Sequence, residues 1–171
     1  MIKYKTAFIS LLVTLLLHGG ALAITNAQVS LNIAAESIPR IAIYYQNKPV
    51  TGLGIDLELP VNGYSQHFEK TTDFLYVVGN VDNADVLFSD AGFVLNAISS
   101  GPGKINLKGE FIYQGSPSNA LGKLRIPVLR NIGEATVSKG FKVHFKSDSL
   151  AGSYPKGSYA NSFTLLVTPI P

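Results

Sequence analysis

His67 and His144 are the histidines of this 171-residue chain that lie beyond its apolar N-terminal stretch, and no cysteine accompanies them. A histidine titrates near neutrality and acts as general base or metal ligand when a nucleophile, a carboxylate or further ligands converge on it. The lack of cysteine removes thiol nucleophiles and thiolate metal sites. His144 alternates with Val143 and Phe145 in a strand pattern, which places it on a solvent-facing or paired strand surface. Asp82-x-x-Asp85, with Asp90 further on, supplies carboxylates for calcium but lacks the fixed spacing and the glycine of a recognised loop, so it reads as a solvated turn. Gly52-Leu53-Gly54 has neither the following helix nor the lysine of a phosphate cradle and reads as a bulge or strand kink. Tyr44-Tyr45 with Lys139, Lys142 and Lys146 offers a ligand surface, but Lys142 and Lys146 share parity with His144 and read as a polar outward face. Nothing assembles a nucleophile, a base and an orienting group, so the chain is expected to be no enzyme and to need no cofactor or metal.

The elements that would position these residues are strands. Short apolar or alternating runs cover Gln28 to Ala35, Arg40 to Tyr45, Leu53 to Leu59, Asp73 to Val78, Phe93 to Ile98, Ile105 to Leu107, Glu110 to Tyr113, Leu124 to Leu129, Gly140 to Lys146 and Ser158 to Thr168. Turn residues separate them at Asn47-Lys48-Pro49, Asn62-Gly63, Gly79-Asn80, Gly101-Pro102-Gly103, Gly115-Ser116-Pro117 and Pro155-Lys156-Gly157. Many short strands at this spacing predict an all-β sandwich. Alternation is clearest at two places: Val29, Leu31, Ile33 and Ala35 form one apolar row near the N-terminus, and Phe163, Leu165 and Val167 form another near the C-terminus.

Lys3 and Lys5, the apolar run Ala7 to Leu17 and the small-residue pattern Ala21-x-Ala23 together predict an export signal over residues 1–23. Its removal leaves about 148 residues, enough for one domain with a real core. Without the two signal-peptide lysines the formal charge falls from +3 to about +1, so global charge gives no argument for nucleic acid. An exported chain without disulfides must hold together by packing or by association. Charge is nevertheless split. From Ile24 to Gly103 three basic residues, Arg40, Lys48 and Lys70, face eight acidic ones, whereas from Lys104 onward nine basic residues face Glu110, Glu134 and Asp148. Interleaving of strands from both halves would average this out; a polar molecule stacking head to tail would exploit it.

The export signal, the cysteine-free mature chain, Val29-x-Leu31-x-Ile33, the Leu57-x-Leu59 and Phe68 region, and Gly157-Ser158-Tyr159 ahead of Phe163-x-Leu165-x-Val167 together resemble the major pilin of CS1-type (alpha-class) chaperone-usher fimbriae. The resemblance implies an immunoglobulin-like β-sandwich that is incomplete, lacks its final strand, and is completed by a strand donated from another subunit. It divides the chain into the signal at 1–23, a donor-strand extension at 24–36 and a pilin domain at 37–171. Val29, Leu31, Ile33 and Ala35 would be the donor side chains, and the acceptor groove would be walled by Phe163, Leu165 and Val167 on one side and by Ile41, Ile43 and Tyr45 on the other. Glu36-Ser37-Ile38-Pro39 stands where relatives tend to place an Asp-Pro step.

The partners implied by the resemblance are further copies of the chain in a head-to-tail homopolymer, a periplasmic chaperone, an outer-membrane usher, a tip adhesin, and a host or surface ligand, with no nucleic acid. Its place would be the bacterial cell surface, reached through the periplasm. The alternative from another class is a monomeric secreted carbohydrate-binding β-sandwich.

Overall fold

The computed structural model describes residues 34, 38–98 and 103–170. The predicted signal at 1–23, the extension at 24–36 apart from Ala34, with its Val29, Leu31, Ile33 and Ala35, and Gly101 and Pro102 of the Gly101-Pro102-Gly103 turn lie outside the described residues. Residues 38–98 and 103–170 belong to one compact unit spanning Ser37–Pro171.

The fold is all-β. In chain order the strands are β1 (Ile41–Tyr45), β2 (Lys48–Pro49), β3 (Glu69–Thr71), β4 (Leu75–Gly79), β5 (Asn83–Phe88), β6 (Phe93–Ala97), β7 (Lys104–Tyr113), β8 (Ser116–Asn119), β9 (Leu124–Pro127), β10 (Phe141–Ser147), β11 (Tyr159–Ala160) and β12 (Leu165–Ile170). They form two antiparallel sheets. The larger runs β11-β6-β7-β10-β4-β1-β2, with β3 on β10 and β8 on β7, and the smaller runs β12-β5-β9.

Alternation explains the clearest strands. In β7 and β10 every second side chain is buried, which places Ile105, Leu107, Phe111, Phe141, Val143 and Phe145 inward. Phe88 of the small sheet meets Phe93, Phe111 and Phe145 of the large one at centroid distances of 5.0, 5.8 and 6.0 Å. That aromatic layer joins the sheets, and each buried side chain contributes about 1.5–3 kcal/mol. Two tight hairpins set the register at the sheet margins: Gln46 and Asn47 join β1 to β2, and Gln114 and Gly115 join β7 to β8, all four with positive φ as a turn matched to strand twist requires.

Several expectations need correction. Ile105 to Leu107 and Glu110 to Tyr113 are one strand, continuous through Gly109, where a Cβ would come within 2.5 Å of the Phe93 ring. Ser158 to Thr168 divides into β11 and β12. Asp85 is no solvated turn residue, because it lies within β5 and is 7% exposed. Gly52 belongs to a turn rather than a bulge, with φ +74° and the Leu53 amide donating to the Val50 carbonyl at 2.9 Å.

Candidate functional site

The chemistry-bearing side chains are drawn into structural bonds. His144 is half-buried in β10, with its Nδ1 2.9 Å from the Thr71 hydroxyl across the ladder. His67 Nδ1 lies 2.8 Å from the Ser147 carbonyl oxygen and 3.4 Å from its hydroxyl. That hydroxyl is no exposed nucleophile: Ser147 is 2% exposed, its hydroxyl donates to the Ser149 carbonyl at 2.7 Å, and it accepts from the Phe68 amide at 3.1 Å. The group ties the loop before β3 to the end of β10. Among the described residues no three His, Asp or Glu side chains gather in a metal-binding cluster.

Part of the split in charge is met by pairs between the two halves of the chain. Asp85 meets Lys123 at 3.1 Å and Arg125 at 3.0 Å, Asp82 meets Arg130 at 2.7 Å, and Glu69 meets Lys146 at 3.4 Å. Each joins an acid of the first half to a base of the second, because the topology sets β9 beside β5 and β10 beside β3. The Arg125 hydrogen bond, seconded by Lys123, holds the Asp85 carboxyl below its ordinary value of 3.8 against the opposing effect of burial. Glu69 is also lowered on balance: burial acts to raise it, and the hydrogen bonds from Ser65 and Lys146 act with the nearby charges of Lys146 and His144 to lower it.

The unusual feature of the domain is its unpaired backbone. Among the described residues β12 bonds β5 alone, along one side. The Ser89 amide donates to the Thr164 carbonyl at 3.0 Å, which sets the phase: the even-numbered residues exchange bonds with β5, and Leu165 and Val167 turn their N–H and C=O to the other side. Among the described residues nothing bonds those groups. Phe163, Leu165 and Val167 are half-buried and pack on the core, while Thr164, Leu166 and Thr168 are exposed.

A second such segment is 54–60. Ile55, Leu57 and Leu59 are half-buried against the same core, and Gly54, Asp56, Glu58 and Pro60 are exposed, so the segment alternates as a strand does. Yet it belongs to no sheet, and among the described residues no backbone group of 54–59 has a hydrogen-bond partner. Its far end is fixed by the Glu69 amide donating to the Pro60 carbonyl at 3.1 Å. Glu69 pairs with Lys146 in β10, and the preceding residue Phe145 packs on Phe163, so 54–60 and the approach to β12 reach the same end of β10.

Ile41 and Ile43 also pack on this core, and β1 adjoins β12 although the two lie in different sheets. The open side of β1 at Ile43 is already bonded, however: its amide donates to the Thr51 hydroxyl at 2.7 Å and its carbonyl accepts from the Val50 amide at 2.8 Å. The segment that matches β12 in lacking backbone partners is therefore 54–59. Sequence reading marked Leu53 to Leu59 as a strand but gave Ile55, Leu57 and Leu59 no place in the groove. The signal available was their alternation beside a turn that stops the chain from pairing back onto β1.

Elsewhere the outer face of the large sheet carries an open concavity of about 950 Å³ whose walls include Thr71, Phe74, Gln114, Thr136, Ser138 and Lys142. The Lys142 ammonium sits 4.3 Å above the Phe74 ring, an attraction between cation and π face. Among the described residues no helix is long and apolar enough to cross a membrane.

No family model matches the chain. No curated protein matches it either. A chain in the solved structure reported as "Chaperone-tip adhesin complex is vital for synergistic activation of CFA/I fimbriae biogenesis" is similar to it with a TM-score of 0.53 at 12% sequence identity, over 76% of this chain and 42% of that one. This chain thus spans less than half the length of that neighbour, and at such identity the likeness is one of fold.

Proposed function

We propose that the chain is a structural subunit of a bacterial surface fibre, serving adhesion, which polymerises head to tail by accepting a neighbour's extended N-terminal strand between β12 and residues 54–60 and lending its own. The observation that carries this reading is the pair of core-packed, alternating segments whose backbone groups have no partner among the described residues. Backbone left unpaired beside a hydrophobic core is a template for strand addition, in which main-chain bonds give affinity and alternate side chains fill the apolar seam. The likeness of fold to a chain from a fimbrial chaperone–adhesin structure agrees with it.

In this reading the domain is an immunoglobulin-like sandwich short of one strand. Residues 24–36 supply the donor, with Val29, Leu31, Ile33 and Ala35 facing the acceptor and Phe163, Leu165, Val167, Ile41, Ile43, Ile55, Leu57 and Leu59 receiving them. Burial of Val29, Leu31 and Ile33 would contribute about 1.5–3 kcal/mol each. A subunit with its edge open is prone to aggregation, so a periplasmic chaperone would cover it until an outer-membrane usher exchanges it for a neighbour, with a tip adhesin at the fibre's end and a host or surface ligand beyond. The role is mechanical and involves no reaction.

The test is deletion of Ile24 to Ala35. The shortened chain should accept a strand but be unable to donate one, so that mixed with intact subunits it terminates fibres. Full-length fibres from the deleted chain alone would refute donation by this segment.

A second reading, a monomeric carbohydrate-binding module, is favoured by the concavity beside Phe74, where an aromatic ring, hydroxyls and an ammonium converge. Sedimentation separates the two, since the module stays a compact monomer at every concentration.

A further inference from the structure

We infer that Pro169 ends the ladder an added strand forms along β12, and so fixes the register in which that strand is accepted; the inference rests on the strand-acceptance reading above. The β5–β12 register is unbroken from Leu165 opposite Phe88 to Ile170 opposite Asn83. In an antiparallel ladder hydrogen-bonded and non-bonded pairs alternate. The bond from the Ser89 amide to the Thr164 carbonyl therefore assigns Leu166, Thr168 and Ile170 to the β5 side, and Leu165, Val167 and Pro169 to the open side.

Proline has no N–H, and within sheets it is tolerated where that missing donor would have pointed away from the ladder. Pro169 falls on such a position. One residue earlier or later, a proline would remove a bond to β5. On the open side, by contrast, its effect is direct: Leu165 and Val167 each offer a donor and an acceptor, whereas Pro169 offers a carbonyl alone, with its ring where the donor would be. An incoming strand can pair fully as far as Val167 and no further.

Two constraints then act together on the donated segment. A slip of one residue turns its apolar row out of the core, and a slip of two toward the end of β12 sets an acceptor carbonyl against the Pro169 ring. A slip of two the other way leaves the Val167 groups unpaired, so the register that uses every free group has its bonding residues opposite Leu165 and Val167, with the side chains of that face directed onto the core that Phe163, Leu165 and Val167 cover.

The test uses the full chain and its Pro169→Ala variant, assembled and followed by hydrogen exchange resolved to single amides. In wild-type assemblies the Leu165 and Val167 amides should be protected. In the variant the new amide at position 169 should be protected as well, and dissociation of the assembly in denaturant should slow by about two- to tenfold, the effect of one added hydrogen bond. The unfolding midpoint of the unassembled variant should not exceed that of the wild type, because the new amide faces away from β5 and only the entropy of the unfolded chain changes, whereas Thr168→Pro, which removes a bond to β5, should lower it further.

If Leu165 and Val167 are protected but position 169 exchanges freely and dissociation is unchanged, the role of Pro169 is overturned while strand acceptance stands. A raised midpoint for unassembled Pro169→Ala, the mark of a new bond to β5, overturns the assignment of phase. If Leu165 and Val167 exchange freely, or the full chain stays monomeric, strand acceptance itself fails and the inference with it.

Discussion

The ring of Phe163 stands 5.2 Å from that of Phe93 at an interplanar angle of 86°, so the approach to the open strand β12 is pinned to the opposite sheet. Phe145, 5.8 Å from Phe163, extends the same cluster toward Phe88. Phe145 is 7% exposed and Phe163 only half-buried, which orders the cost of truncating them. Phe145→Ala should destabilise the chain by about 3–5 kcal/mol and Phe163→Ala by clearly less, read as a shift in urea midpoint. Equal shifts would mean that Phe163 is as fully enclosed as Phe145.

Parity along the two unpaired segments gives the second expectation. Leu165→Asp places a carboxylate against the core, whereas Leu166→Asp changes a side chain that is 44% exposed. On the other segment Leu57→Asp stands to Glu58→Lys in the same relation. The inward changes should abolish fibre formation and lower the thermal midpoint, and the outward ones should leave both near wild type. Measured by sedimentation and thermal unfolding, equal effects on the two faces would show that the alternation is not what the assembly reads.

The carboxyls of Asp85 and Glu69 give a pH dependence with a definite sign. Both are held below their ordinary values of 3.8 and 4.5 in the folded chain, so the folded state binds fewer protons there than the unfolded one. Their contribution is present in full above those ordinary values and is lost as pH falls below them through the lowered folded values. Denaturant midpoints should therefore hold between pH 7 and about 5 and then decline through the acid range. Asp85→Asn should flatten part of that decline. A midpoint that rises on acidification would contradict the ion-pair assignment.

Much of the sandwich was legible because its strands are buried on one face: Phe141, Val143 and Phe145 alternate with Lys142, His144 and Lys146, and the sequence carries that period openly. β5 was not legible for the opposite reason. Ala84, Asp85 and Val86 are all buried, so the period of two vanishes, and the carboxylate that seemed to mark a turn is sustained by Lys123 and Arg125 some forty residues away. Half of the candidate site was readable in the same way. The Phe163, Leu165 and Val167 row appears as alternation, but the loss of partners at 54–59 depends on where Val50 and Thr51 bond, which is a matter of tertiary path. Pro169 illustrates the remainder: a proline in an apolar run argues against a strand until the phase of pairing shows that its missing donor faces the open side.

The last expectation concerns completeness of the domain. Fusing Gln28 to Glu36 after Pro171 through a short flexible linker, with the original N-terminal segment deleted, makes strand donation intramolecular. A tethered strand acts at an effective concentration near millimolar or above, so it should outcompete any external donor and hold the chain as a monomer. Filling both unpaired edges stabilises the folded state alone, and the fused chain should withstand heat and denaturant far better than the same chain without its donor. If the two unfold at one midpoint, the edges at β12 and 54–59 need no added strand. The monomeric module would then account better for the concavity beside Phe74 and Lys142.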